Sequence, residues 1–248
     1  MLSYPQELVR SGRVLFSVRG LFMYALILVG TLLVWWLRPV GPFADQAWNR
    51  LWFGAGLAVA LAGLGLRILV QGYAALGTSG RVLKAAEAAE LNTTGPYSLV
   101  RNPLYVGRIL NFTGIAMLTG LWSYAAIVYL LGVLVYERIS LYEEAFLVEK
   151  FGDAHRRWAA DVPALLPRLH GWVSPKYPFW WRRMIWRESN KLFQLAGAIV
   201  LFHFARHGFS ADPAVVGACW LKAALAVPAI WAALLLFRHG TRYFADLS

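Results

Sequence analysis

The chain has a single cysteine, Cys219, in 248 residues. One thiol excludes an intrachain disulfide framework and any multi-cysteine metal site. Charge is also scarce: Asp, Glu, Lys and Arg make up 15% of the residues, against about 25% in an ordinary soluble domain. Acidic residues are the scarcest, 13 against 24 Lys and Arg, which leaves a formal net charge of +11. Apolar residues take their place, at 59% of the chain with a mean hydropathy of +0.52. That content excludes one or two soluble domains, the reading that length alone allows. In a soluble protein the basic excess would point to nucleic acid. Here the cations flank apolar runs, so they read as membrane topology and contact with anionic lipids, with no nucleic-acid partner.

A spanning helix needs about 20 mainly apolar residues. Runs of this kind occupy 20–37, about 51–74, 103–121, 122–136, 192–205 and about 215–237, the fifth being short. The first follows Arg10, Arg13 and Arg19 but ends in Trp35 and Trp36, without a small-residue cleavage pattern. It reads as a retained anchor and not as a signal peptide. The expected fold is an all-α integral membrane protein of about six transmembrane helices, with a helix-and-loop active site on the cytoplasmic side. Segments 1–19, 73–102, 138–191 and 238–248 hold 18 of the 24 Lys and Arg, which puts both termini in the cytoplasm. Gly54, Gly56, Gly63 and Gly65 in the second run read as close helix packing. A dinucleotide loop would need a strand–turn–helix setting that is missing here. His203 and His207 share a helix face but have no third ligand nearby, so no metal site is expected.

The stretch GPYSLVRNPLYVG, residues 95–107, stands at the mouth of the third run. Pro103 suits a first helical turn, Asn102 before it can cap, and the free N–H groups there attract an anion. Tyr97 and Tyr105 add hydroxyls and aromatic faces. A very short turn near Gly120 joins the third and fourth runs, which predicts an antiparallel hairpin with its open ends side by side. One end carries Arg101 to Gly107 and the other Glu137 to Gly152. Ionisable groups at membrane depth are costly and mark function, although Arg108 also suits snorkelling. Glu143 and Glu144 are neighbours, about 100° apart on a helix, so they face different partners. The plain alternatives are a capped helix start and a solvated acidic helix face. The connector HGWVSPKYPFWWRRMIWRESNK, residues 170–191, mixes aromatics with cations and reads as an interfacial segment.

Together the two segments resemble the isoprenylcysteine carboxyl methyltransferase family and the related membrane phospholipid methyltransferases. The family pattern, roughly G-x-Y-x-x-x-R-H-P-x-Y-x-G, a hairpin, then E-E-x-x-L, F-G and V-P, is met by Gly95, Tyr97, Arg101, Pro103, Tyr105 and Gly107. After the hairpin it is met by Glu143, Glu144, Leu147, Phe151, Gly152, Trp158, Val162 and Pro163. Two positions depart from it: Asn102 replaces the family histidine, and His155 stands where an aromatic, often Tyr, is common. The resemblance implies S-adenosylmethionine as methyl donor and a lipophilic acceptor arriving from the bilayer, isoprenylcysteine carboxylate-like or a lipid headgroup. It implies catalytic roles for Arg101, Glu143 and Glu144, and donor contacts from Tyr97, Asn102, Pro103, Tyr105, Gly107 and His155. It covers about residues 92–168. The expected organisation is one membrane domain, with a methyltransferase core at about 51–170 and an appended connector and helix pair at about 171–248. Two other classes stay open: an NADPH-dependent sterol-type membrane reductase, which shares an arginine–proline–tyrosine motif but not the later half, and a non-enzymatic scaffold. Oligomeric state is open.

Overall fold

The computed structural model describes residues 4–75, 78, 88–240 and 243. In chain order the helices are α1 (Tyr4–Val18), α2 (Phe22–Leu37), α3 (Gln46–Tyr73), α4 (Pro103–Met117), α5 (Trp122–Phe151), α6 (Asp153–Asp161), α7 (Trp181–Arg206), α8 (Pro213–Val216) and α9 (Ala218–Gly240). A 3₁₀ turn, Gly95–Ser98, precedes α4. Among the described residues there is no strand.

Local chemistry sets several of the ends. Asp45 caps α3, its carboxylate accepting from Ala47 N at 2.5 Å and Trp48 N at 3.3 Å, which satisfies N–H groups that a helix start leaves open. Gly120 makes the turn of the α4–α5 hairpin at φ +83°, a conformation that favours glycine. At the far end of α3, Arg183 of α7 donates from Nε to Gln71 O at 2.8 Å and from Nη2 to the carbonyls of Gly72 and Ala74. A cation at the carbonyl end of a helix satisfies both its hydrogen bonds and its dipole.

All six apolar runs fold as helices, but they differ in reach. Among the described residues α3, α5 and α9 are each long and apolar enough to cross a membrane. α1 from Gln6 and α2 qualify only together, as a pair bent by 72°. α4 has 15 residues, about 22 Å of helix, short of a hydrocarbon layer of about 30 Å. α7 is long enough, but Arg182, Arg183, Arg187, Glu188 and Lys191 occupy its first three turns. The six-span expectation is therefore met by three helices on their own.

The closest packing is between α3 and α4. A Cβ on Gly63 would lie 2.5 Å from Gly107 O, and one on Gly56 would lie 2.8 Å from Met117 Cβ. Asn111 crosses the same seam, donating to Ala60 O at 3.0 Å. Small residues with an interhelical amide are the usual means by which helices adhere where water exclusion is weak. Gly54 and Gly65 differ, since a Cβ on either would meet nothing within 4 Å. The core gathers Val34, Ile109, Phe112, Val128, Tyr136 and Phe202 from α2, α4, α5 and α7. α1 lies on α5, with buried Phe16 edge-on to Tyr142 at 5.5 Å. α7 thus belongs to the same core as the hairpin, whereas the apolar window of α9 is 0% buried.

Candidate active site

The hairpin brings the two halves of the motif into contact. Arg101 donates from Nε to Glu144 Oε1 at 3.0 Å and from Nη1 to Ala159 O at 2.8 Å. Asn102 Nδ2 reaches the same Glu144 oxygen at 3.2 Å and Ala164 O at 3.2 Å. The backbone repeats the tie: Arg101 N donates to Pro163 O at 2.8 Å and Asn102 N to Ala164 O at 3.2 Å. Trp158 Nε1 donates to Tyr97 O at 3.3 Å. Charge-assisted bonds of this kind are roughly twice as strong as neutral ones, and here one carboxylate holds an arginine and an amide at once. The cap expected from Asn102 is not formed, because its side chain turns toward α5 and no side chain caps α4. Pro103 has no N–H to offer, and the N–H groups of Tyr105 and Val106 are held by Asn102 O.

His155 sits beside this clasp. It is buried, edge-on to Trp158 with centroids 5.5 Å apart. Neither of its ring nitrogens has a hydrogen-bond partner. Burial lowers its pKa, with Arg101 adding to the effect and Glu144 opposing it, so the ring is neutral near pH 7. Protonation is therefore easier in the unfolded chain, and stability falls as pH drops below the ordinary histidine value of about 6.5. His155→Phe should show a smaller loss of melting temperature between pH 7 and pH 5 than the wild type. An equal loss in both would mean that His155 does not titrate in this way.

Glu143 points elsewhere from its neighbour. Its carboxylate is under the influence of the Tyr105 hydroxyl and of the Arg19 and Arg108 guanidinium groups. Arg19 stacks over Phe16 at 3.5 Å and donates to Phe16 O at 2.6 Å. Arg108 is turned inward rather than snorkelling, and its Nη1 lies 3.4 Å from Tyr136 Oη. Tyr105 stacks on Tyr136 at 5.0 Å. Burial and the Glu143 carboxylate push the Tyr97 phenol above its usual range. Glu143, Tyr97, Tyr105, Arg19 and Arg108 thus form one polar cluster, and Glu144, Arg101 and Asn102 form the clasp with His155 beside it. Gly107 lies outside both, at the α3–α4 seam. Pro103 is buried at the start of α4.

Two groups that sequence reasoning did not single out complete the surroundings. Arg67 of α3 meets Glu188 of α7 in a two-pronged pair, Nη2 to Oε1 at 2.6 Å and Nε to Oε2 at 2.8 Å. Arg67 also donates to Leu104 O at 3.2 Å. The signal for Arg67 was a lone cation in the middle of an apolar run. The connector lies on the motif: Gly95 N donates to Val173 O at 2.8 Å and Val173 N to Ser98 Oγ at 3.0 Å. His203 and His207 are remote. His203 Nε2 is 2.9 Å from Val216 O, and its ring stacks on Trp220 at 3.9 Å.

Among curated proteins, the chain is 33% identical over 123 residues to a nickel-cobalt-cadmium resistance protein, NccN, of Alcaligenes xylosoxydans xylosoxydans, covering 49% of this chain and 55% of that one. It is 33% identical over 129 residues to a cobalt-zinc-cadmium resistance protein, CzcN, of Cupriavidus metallidurans, covering 51% and 56%. The chain thus spans about half the length of the curated relatives it matches. No solved structure matches it at a significant level. The family model for phospholipid methyltransferases matches residues 53–154, a span that holds α3 from residue 53 on, the 95–107 motif, the hairpin and both glutamates. Residues 53–154 are thus similar to the phospholipid methyltransferases, the likeness that the two-part motif carries.

Proposed function

We propose that the chain is an S-adenosylmethionine-dependent methyltransferase of the membrane, with its site and both termini on the cytoplasmic side and a lipophilic acceptor reaching it from the bilayer. The observation that carries this reading is the clasp of Arg101 and Asn102 on Glu144, closed beside a buried histidine whose ring nitrogens lack partners. Buried polar atoms are normally paired. An orphaned imidazole next to the family motif fits a polar ligand such as the donor. His155 is the residue that would hold it, with Tyr97 and Asn102 nearby.

When bound, the sulfonium donor supplies an electrophilic methyl carbon: the bond to the acceptor nucleophile forms as the carbon–sulfur bond breaks, and the electron pair stays on sulfur. In-line displacement needs the reacting atoms about 3–3.5 Å apart and aligned. The clasp serves that requirement by fixing the 95–107 loop against α5 and α6. In the polar cluster, Glu143 with Tyr105 offers an acceptor for a proton if the nucleophile is an amine or thiol. Arg19 and Arg108 offer cations if it is a carboxylate or phosphate. The names of the two relatives describe a resistance and specify no acceptor.

The test is transfer itself. Purified full-length chain is incubated with methyl-labelled donor and bilayers made from a total membrane extract. Label is expected in the organic phase. Label found only in water-soluble products would overturn the lipophilic acceptor.

A further inference from the structure

Arg67 interrupts the apolar run of α3 and is buried. Taking a charged pair out of water is costly, and a well-packed apolar pair of similar volume often serves a fold as well. What Arg67 and Glu188 do that an apolar pair could not lies in a third bond. The guanidinium is planar, with its N–H groups in a rigid fork. Glu188 of α7 occupies one edge of it, Nε and Nη2. That leaves Nη1 to point away, where it donates to Leu104 O at 3.2 Å. A backbone carbonyl has two lone pairs, so this bond does not compete with a helical one.

Leu104 is the second residue of α4. On one side of it stand Arg101 and Asn102, both clasped on Glu144. On the other stands Tyr105, stacked on Tyr136 at 5.0 Å. Arg67 reaches this turn by lying along α4 at Gly107, where a Cβ would be 2.7 Å from its Cγ and 3.5 Å from its Cδ. The motif glycine thus opens the path for the side chain. Glu188, which fixes the direction of the fork, lies beyond the family-matched stretch.

We propose that Glu188 is a positioning residue for methyl transfer, acting through Arg67 to hold the first turn of α4 in the place that the clasp requires. The inference rests on the reaction proposed above. On this reading α7 completes the site instead of only packing against it.

The experiment assays the full chain with methyl-labelled donor and bilayers of membrane extract. Hydrogen–deuterium exchange of residues 101–108 is followed in parallel. Arg67→Met with Glu188→Met should recover most of the stability that either single substitution removes, but it offers no N–H to Leu104 O. Its kcat is expected to stay lower by about 10²-fold, the effect of a misplacement of about 1 Å. The dissociation constant of S-adenosylhomocysteine should be unchanged, and exchange should be faster at 101–108. Arg67→Lys keeps a cation for Glu188 but loses the planar fork, so it should show the same fall in kcat. Wild-type turnover in either variant, when folded, would overturn the proposal, because the pair would then serve stability alone. Unchanged exchange at 101–108 would do the same. Should the double variant fail to fold, Arg67→Lys decides. A wild type that transfers no methyl group would overturn the reaction, and exchange in the variants would still show whether Glu188 holds the motif.

Discussion

Glu188→Ala is expected to destabilise the protein by about 3–5 kcal/mol, and Arg67→Ala by a similar amount. The pair is enclosed, with side-chain exposures of 6% and 2%, and both carboxylate oxygens are bonded to one guanidinium. Removing one partner leaves a charge in an apolar bundle, and that desolvated charge, more than the lost attraction, sets the cost. Arg67→Met with Glu188→Met should therefore recover most of the loss. Unfolding in mixed micelles measures both effects through a double-mutant cycle. Costs that simply add would mean that the two groups do not depend on each other. The result bears on the organisation of the chain, because Arg67 lies in the family-matched stretch and Glu188 does not. Phe179 strengthens the link, stacking edge-on against Tyr73 of α3 at 5.1 Å. Truncation near residue 170 would remove Glu188, Phe179 and the Arg183 cap of α3 together, so it should destabilise the remainder.

Arg101→Ala and Glu144→Gln are each expected to lower kcat/KM by about 10²-fold, the usual effect of misplacing reacting groups by about 1 Å, while leaving yield and helical content unchanged. Both residues act through position. Glu144 fixes Arg101 and Asn102, and through them the loop that carries Tyr97. Groups that work as one unit are not additive, so the double variant should be no worse than either single variant. Arg101→Lys keeps the charge but loses the fork that reaches both Glu144 and Ala159 O, and should rescue little. A fall in kcat with an unchanged donor dissociation constant would place the effect on alignment. Wild-type turnover in both single variants would show that the clasp is only structural.

The sequence made the helices legible because each apolar run is bounded by turn residues or cations. It made the hairpin legible because the turn at Gly120 is too short for anything else. That Glu143 and Glu144 face different partners followed from helix geometry alone. What it did not reveal depends on contacts remote in sequence. Arg67 and Glu188 are separated by 121 positions, and no local period links them. Asn102 looked like a cap by position. Its amide instead bonds Glu144, 42 residues away, which no local rule weighs. The six-span reading is met in part, by α3, α5 and α9 on their own, because hydropathy does not register that α4 has only 15 residues or that α7 begins in a charged stretch. Gly107 looked like a motif residue for the donor, yet a Cβ there would lie 2.7 Å from Arg67 Cγ, so helix packing accounts for its size.

The most direct test of the central claim is ligand-dependent melting of the purified full-length chain in detergent. A ligand that binds only the folded state raises stability by mass action. S-adenosylhomocysteine should raise the melting temperature saturably, and NADPH at the same concentrations should leave it unchanged. A shift with NADPH alone, or with neither ligand, would contradict the assignment.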